Sequence, residues 1–240
     1  VQASYKVEHY KQNLDYTFTL AETENKSAVT GTTVTATSKT YDGFDYASSY
    51  NGTITSGVVK GDGSLVLKLY YTRKQVSLTI DPNGGTYDGD TSAATKGGIY
   101  GSTFKVDGKI VAPAGYKVTY NANGGTSTKS SEVSTKSFNG WTKSGLGSYD
   151  AVSQTFTYGT GNAKLTASYS NNSVTLPQVT FTGYTLEGWY SDSEFKNRVG
   201  SAGAAYTPTA DITLYAKKAS NADTKYTVEH YLENADGTYS

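Results

Sequence analysis

Few side chains in this sequence are equipped for chemistry. The two histidines, His9 and His230, could each ligate a metal or act as a base. They occupy the same place in two copies of one hexad, Tyr5-Lys6-Val7-Glu8-His9-Tyr10 and Tyr226-Thr227-Val228-Glu229-His230-Tyr231, offset by 221 residues. Tyr and Val share the histidine's strand face, so the pattern predicts a half-buried structural histidine. Two ligands that far apart along an extended array would not converge on one ion. Asp81, Asp88 and Asp90 punctuate Asp81-Pro82-Asn83-Gly84-Gly85-Thr86-Tyr87-Asp88-Gly89-Asp90 and form a weak calcium candidate, since calcium takes carboxylate and carbonyl oxygens. Asp and Gly are also ordinary turn residues. Trp141 and Trp189 could stack on sugars, but their recurrence at one repeat position points to a large core filler in each unit. Exposed tyrosines on strand faces are the better binding candidates, with no individual residue singled out. Lys68 and the many asparagines are reagents for a Lys–Asn amide cross-link, which would lower the intact mass by one ammonia.

Composition removes whole classes of function. With no cysteine there is neither a disulfide framework nor a thiolate site, and no nucleophile elbow or phosphate loop is present. A pair of glycosidase carboxylates is not excluded, but units of 50–75 residues seldom hold a deep cleft. No catalytic residue and no cofactor is expected. Charge is balanced at 21 basic and 21 acidic residues without a basic stripe, which argues against nucleic acid or a membrane as partner. No apolar run approaches the about 20 residues of a membrane span. Absence of both Cys and Met suits an extracellular setting.

Elements of period two must position these residues. β-branched and aromatic residues with Gly-rich turns predict a mainly β chain. Strands are expected at Tyr5–Tyr10, Tyr16–Ala21 and Thr32–Thr37, with a central strand at Leu65–Tyr71, giving one compact unit over 1–74. From Val76 the signatures change. An Asn-Gly-Gly-Thr turn after a strand occurs at Val76–Thr86 and again at Lys117–Thr126. A Gly-Trp element occurs at Phe138–Trp141 and at Leu186–Tyr190, and each is followed by a closing strand, Lys164–Tyr169 and Ile212–Lys217. The order Asn-Gly-Gly, Asn-Gly-Gly, Gly-Trp, Gly-Trp is not that of simple tandem copies. Either an inner unit near 110–171 is nested in an outer unit made of 76–109 and 172–218, or two tandem copies have each lost a signature. Ser191–Val199 could hold a short helical turn starting at Ser191 or Asp192. Residues 221–240 read as a linker and the first strand of a further repeat, expected to be disordered or paired with another edge.

Val76–Thr86, Pro177, Gly183–Tyr190 and Ile212–Ala216 resemble the Listeria–Bacteroides repeat, also called the internalin B-repeat. Leu186 stands where that repeat commonly has Phe, and Lys217 where it commonly has Trp. The 1–74 unit, through Tyr5–Tyr10 and Leu67–Tyr71, is similar to mucin-binding-protein-like repeats. Both resemblances imply a β-grasp, ubiquitin-like arrangement, a small mixed sheet around a short helix or its remnant, here in an elongated tandem array of about three units. They further imply a bacterial cell-surface, wall-associated or secreted adhesin without enzymatic chemistry. Expected partners are neighbouring repeats of the same protein and a host glycan or surface protein. The function that follows is a spacer with weak multivalent contacts or, alternatively, a ligand-binding adhesin module.

Overall fold

In the computed structural model, which describes residues 1–222 and 225–240, the chain is all-β, with no helix among the described residues. Among the described residues no helix is long and apolar enough to cross a membrane. Contacts divide the chain into two compact units. The first is Val1–Ala112 with Phe138–Tyr169, and the second is Pro113–Ser137 with Ser170–Ser240.

The amino-terminal sheet contains β1 (Gln2–Gln12), β2 (Phe18–Val29), β3 (Phe44–Tyr46) and β4 (Val66–Arg73), in the order β2-β1-β4-β3. Alternation in β1 turns Tyr5, Val7 and His9 inward. Tyr5 and Val7 meet Leu67, Leu69 and Tyr71 of β4, and Val59, to form a separate core. Tyr16, expected in the second strand, lies instead in the turn before β2 with φ 66°. Beyond Arg73 the main strands are β5 (Gln75–Asp81), β6 (Ala94–Ile99), β7 (Thr103–Lys105), β8 (Lys117–Asn121), β9 (Ser131–Val133), β10 (Lys136–Asp150), β11 (Thr155–Asn171), β12 (Tyr184–Tyr190), β13 (Arg198–Gly200) and β14 (Ile212–Ser220).

These strands build two further mixed sheets, ordered β7-β11-β5-β6 (with β10 paired to β11) and β9-β8-β14-β12-β13. In all three sheets the opening strand runs parallel to the closing one: β1 with β4, β5 with β11, β8 with β14. A parallel pair needs a long crossover, often a helix. Here strands and turns make the crossover, because the intervening residues carry no apolar stripe of helical period. Among the described residues the short helix of a β-grasp arrangement is therefore absent, and strands and turns stand in its place. The helical turn expected at Ser191–Val199 is also replaced. Asp192 Oδ1 accepts hydrogen bonds from the backbone N–H of Glu194 (3.1 Å) and Lys196 (3.0 Å), and Oδ2 from Asn197 (2.8 Å). Phe195 stands at φ 58°, outside the helical region.

Strand pairing departs from the nested order. β5 pairs with β11, matching Leu78 to Ala163 and Ile80 to Leu165, while β8 pairs with β14, matching Val118 to Ile212 and Tyr120 to Leu214. The segments therefore interleave, 75–112 joining 138–169 and 113–137 joining 170–220. Side-chain matching decides this, in a way that spacing could not. Lys164 pairs with Asp81 at 2.6 Å, Asn83 Nδ2 donates to the Ala167 carbonyl (3.0 Å), and the Tyr169 hydroxyl donates to the Pro82 carbonyl (2.7 Å). These contacts lock the first Asn-Gly-Gly turn to the first closing strand.

The repeated hexad at 226–231 is not a strand, and its residues are exposed. A short ladder, Glu233 with Tyr239, follows it. Within the expected linker, residues 223–224 lie outside the described residues.

Candidate functional site

β1 lies between β2 and β4, and this places His9 against side chains from both. His9 is fully buried. Its Nε2 lies 2.8 Å from Glu24 Oε1 on β2 and its Nδ1 2.9 Å from the Tyr71 hydroxyl on β4. The backbone N–H of Lys39 donates to the same hydroxyl oxygen (2.9 Å). A carboxylate only accepts, so we assign the proton to Nε2 and have Tyr71 O–H donate to Nδ1. Lys26 bonds Glu24 at 2.8 Å, and with His9 and Lys39 it holds the carboxyl down at about 2 against an ordinary 4.5. A histidine oriented by a carboxylate is half of a general-base apparatus. With His9 and Tyr71 both sealed from solvent, no substrate reaches it, and its effect is to tie β1, β2 and β4 together. His230, at the equivalent repeat position, is exposed.

The three candidate calcium carboxylates are each committed to local backbone or to an ion pair. Asp81 Oδ1 accepts from Asn83 N–H (2.8 Å) while Oδ2 pairs with Lys164. Asp88 Oδ1 accepts from Lys109 N–H (2.7 Å), and Asp90 Oδ1 from Ser92 N–H (2.8 Å). Among the described residues no group of three or more His, Cys, Asp or Glu side chains could hold a metal ion. Asp81 shapes a turn that occurs twice. Asn83 and Gly84 sit at φ 48° and 86°, Asn123 and Gly124 at 50° and 88°, and Asn121 Oδ1 accepts from Asn123 N–H as Asp81 does from Asn83.

Trp189 is fully buried in the second unit, its Nε1–H donating to the Pro177 carbonyl (2.9 Å) and its ring edge-on to Tyr120. Trp141 is only partly buried, packed edge-on against Tyr87 and Phe138. Neither forms an open stacking platform. Lys68, the cross-link candidate, projects from the outer face of β4 with its ammonium 5.9 Å from the Tyr10 ring.

Aromatics gather on that outer face. Tyr10 stacks on Tyr70 (4.9 Å, 15°), and Phe18 and Tyr50 close around Tyr70 at 5.1 and 4.5 Å. The Glu8 carboxylate accepts the Tyr10 hydroxyl (2.6 Å), which pushes that phenol up to about 12. Tyr10, Phe18 and Tyr70 are half-buried in this cluster, and Tyr50 is exposed.

A more open feature lies in the first unit. An open groove of about 450 Å³ is lined by Leu14, Tyr16, Gln75, Val76, Gly97, Gly98, Ile99 and Ser102. The turn between β1 and β2 supplies Leu14 and Tyr16, and β6 supplies a glycine floor. Gly98 is required by packing, since a Cβ there would stand 2.4 Å from the Tyr158 ring. Gly97 has nothing within 4 Å of its Cβ position. Sequence reasoning passed over this groove, although one signal was available. In the 221-residue echo the turn residues Asn13, Asp15 and Thr17 return as Asn234, Asp236 and Thr238, whereas Leu14 and Tyr16 return as Ala235 and Gly237.

Residues 153–217 match the family model of the Listeria-Bacteroides repeat domain. The matched stretch starts just before β11 and ends within β14, so it takes in segments of both units. Among solved structures the chain is similar to the type 2 repeat of the mucus binding protein MUB from Lactobacillus reuteri, with 13% identity, 91% of this chain and 100% of that chain covered, and a TM-score of 0.24. No curated protein matches the chain.

Proposed function

We propose that this chain is a repeat region of a bacterial cell-surface or secreted adhesin, working outside the cell as a spacer with weak multivalent contacts. The observation that carries the reading is the Listeria-Bacteroides repeat match over 153–217, in a chain that builds one Asn-Gly-Gly turn twice. A spacer acts mechanically. Small β units in series hold a distal domain away from the envelope, and low-affinity contacts on successive units add through effective concentration. No enzymatic step is part of this reading. The fully buried His9 and Trp189 serve cohesion of the units that hold them.

Small-angle scattering of the chain in dilute solution tests this. A spacer gives a maximum dimension well beyond that of a sphere of 25.6 kDa. A compact spherical profile would refute it. The second reading, a ligand-binding adhesin module, is favoured by the groove beside Tyr16.

A further inference from the structure

Tyr16 occupies a conformation that its own sequence repeat assigns to glycine. Its φ is 66°, and the equivalent Gly237 has φ 83°. The two turns are otherwise built alike. Asn13 N–H donates to the Thr17 carbonyl at 2.7 Å, as Asn234 N–H does to Thr238, and the Asp15 and Asp236 carboxylates accept the Thr17 and Thr238 N–H at 3.1 Å. A left-handed φ is strained for a residue with a bulky side chain and free for glycine. Core packing does not explain a tyrosine there, because its side chain is 65% exposed. Leu14, half exposed, is likewise larger than its counterpart Ala235. Both enlarged residues line the groove. Strain tolerated at an exposed aromatic points to a contact made by the ring.

We propose that this groove is a binding site for a neutral pyranoside. None of its eight lining residues carries a charge, so no ion pair within the lining favours a phosphate, a carboxylate or an ammonium group over a neutral ligand. The lining combines apolar side chains, among them Leu14, Tyr16 and Val76, with the polar Gln75 and Ser102 and the bare glycines Gly97 and Gly98. A sugar ring has a matching combination, with C–H groups on one face, attracted to the electron-rich face of a phenol ring, and hydroxyls around its rim. The volume lies in the range of small-molecule sites, about 300–1,000 Å³. Bare Gly97 leaves the floor open for close approach of the ring. The proposal rests on the binding reading above and leaves the spacer reading untouched.

The test is an amide-resolved NMR titration of the full 15N-labelled chain with methyl β-D-glucopyranoside, alongside its charged analogue methyl β-D-glucuronide. The expected result is saturable shifts at the Gly97, Gly98, Ile99 and Ser102 amides with the neutral glycoside, and weaker binding of the glucuronide. Tyr16→Gly, which installs the residue found at the repeated position, should weaken binding at least about tenfold with a Tm no lower than that of the parent chain. Gly97→Val, which fills the floor from an unobstructed Cβ position, should do the same with spectral dispersion retained. No saturable shift at these amides, an unchanged affinity in Tyr16→Gly, or equal binding of the charged analogue would overturn the proposal. Scattering reports on the spacer reading separately, so the two can fail independently.

Discussion

Interleaved pairing makes a sharp prediction for Leu165→Ala. Leu165 is fully buried in β11, opposite Ile80 of β5, in a core shared with Leu78, Phe156 and Tyr158. Truncating a fully buried leucine costs about 2–5 kcal/mol, from lost transfer energy and the residual cavity. At 1.4 kcal/mol per factor of ten, even the lower figure multiplies the open population about 25-fold. A domain stable by about 5–15 kcal/mol tolerates this, so the variant stays folded and native-state hydrogen exchange can be read strand by strand. Amides of Val76–Asp81 and Ala94–Ile99 should exchange at least about 25-fold faster, while Lys117–Asn121 and Ile212–Ser220 keep their rates within a few-fold. Leu214→Ala, at the fully buried residue opposite Tyr120, should give the mirror pattern. Nested pairing places Leu165 with Lys117–Asn121. Acceleration there, with Val76–Asp81 unaffected, would refute the interleaved arrangement, and equal acceleration in both sheets would refute the independence of their cores.

Two further outcomes follow from the buried polar contacts. The native pKa of Glu24, about 2, lies below the ordinary 4.5, so the folded state favours the ionised form. Its contribution to stability is complete above about pH 4.5 and is lost as pH falls toward about 2. The Tm gap between the parent chain and Glu24→Gln should therefore be widest near neutrality and shrink across that window, and a gap independent of pH would contradict the assignment. Trp189→Phe removes the N–H donated to the Pro177 carbonyl and leaves a buried acceptor unpaired. Urea denaturation should show a loss of about 1–3 kcal/mol beyond the smaller ring's packing deficit.

Much of the local structure was legible in the sequence. Alternation along Tyr5–His9 gives the inward face of β1, and Asn-Gly-Gly gives the same two-residue turn at both of its occurrences. Both are short-range consequences of side-chain period and of the φ that Asn and Gly tolerate. The burial of Trp189 follows from its size and its place in the repeat. Pairing was not legible, because β11 and β14 offer similar alternating faces, Leu165-Thr166-Ala167 and Leu214-Tyr215-Ala216, to either opening strand. Only assembled contacts such as Lys164 with Asp81 distinguish the partners. The groove was hidden for a related reason, since its walls come from a turn at 14–16 and a strand at 97–99.

The 221-residue echo separates the two kinds of information within one molecule. Asn13–Thr17 and Asn234–Thr238 form the same turn with the same hydrogen bonds, since every donor and acceptor lies within five residues. The hexads before them do not share a fate. Tyr5–Tyr10 is a strand with His9 sealed between Glu24 and Tyr71, whereas Tyr226–Tyr231 is not a strand and His230 is exposed. A turn closes on itself, so sequence alone determines it. A strand is completed by the N–H and C=O groups of its neighbours, which β2 and β4 supply to the first copy alone among the described residues.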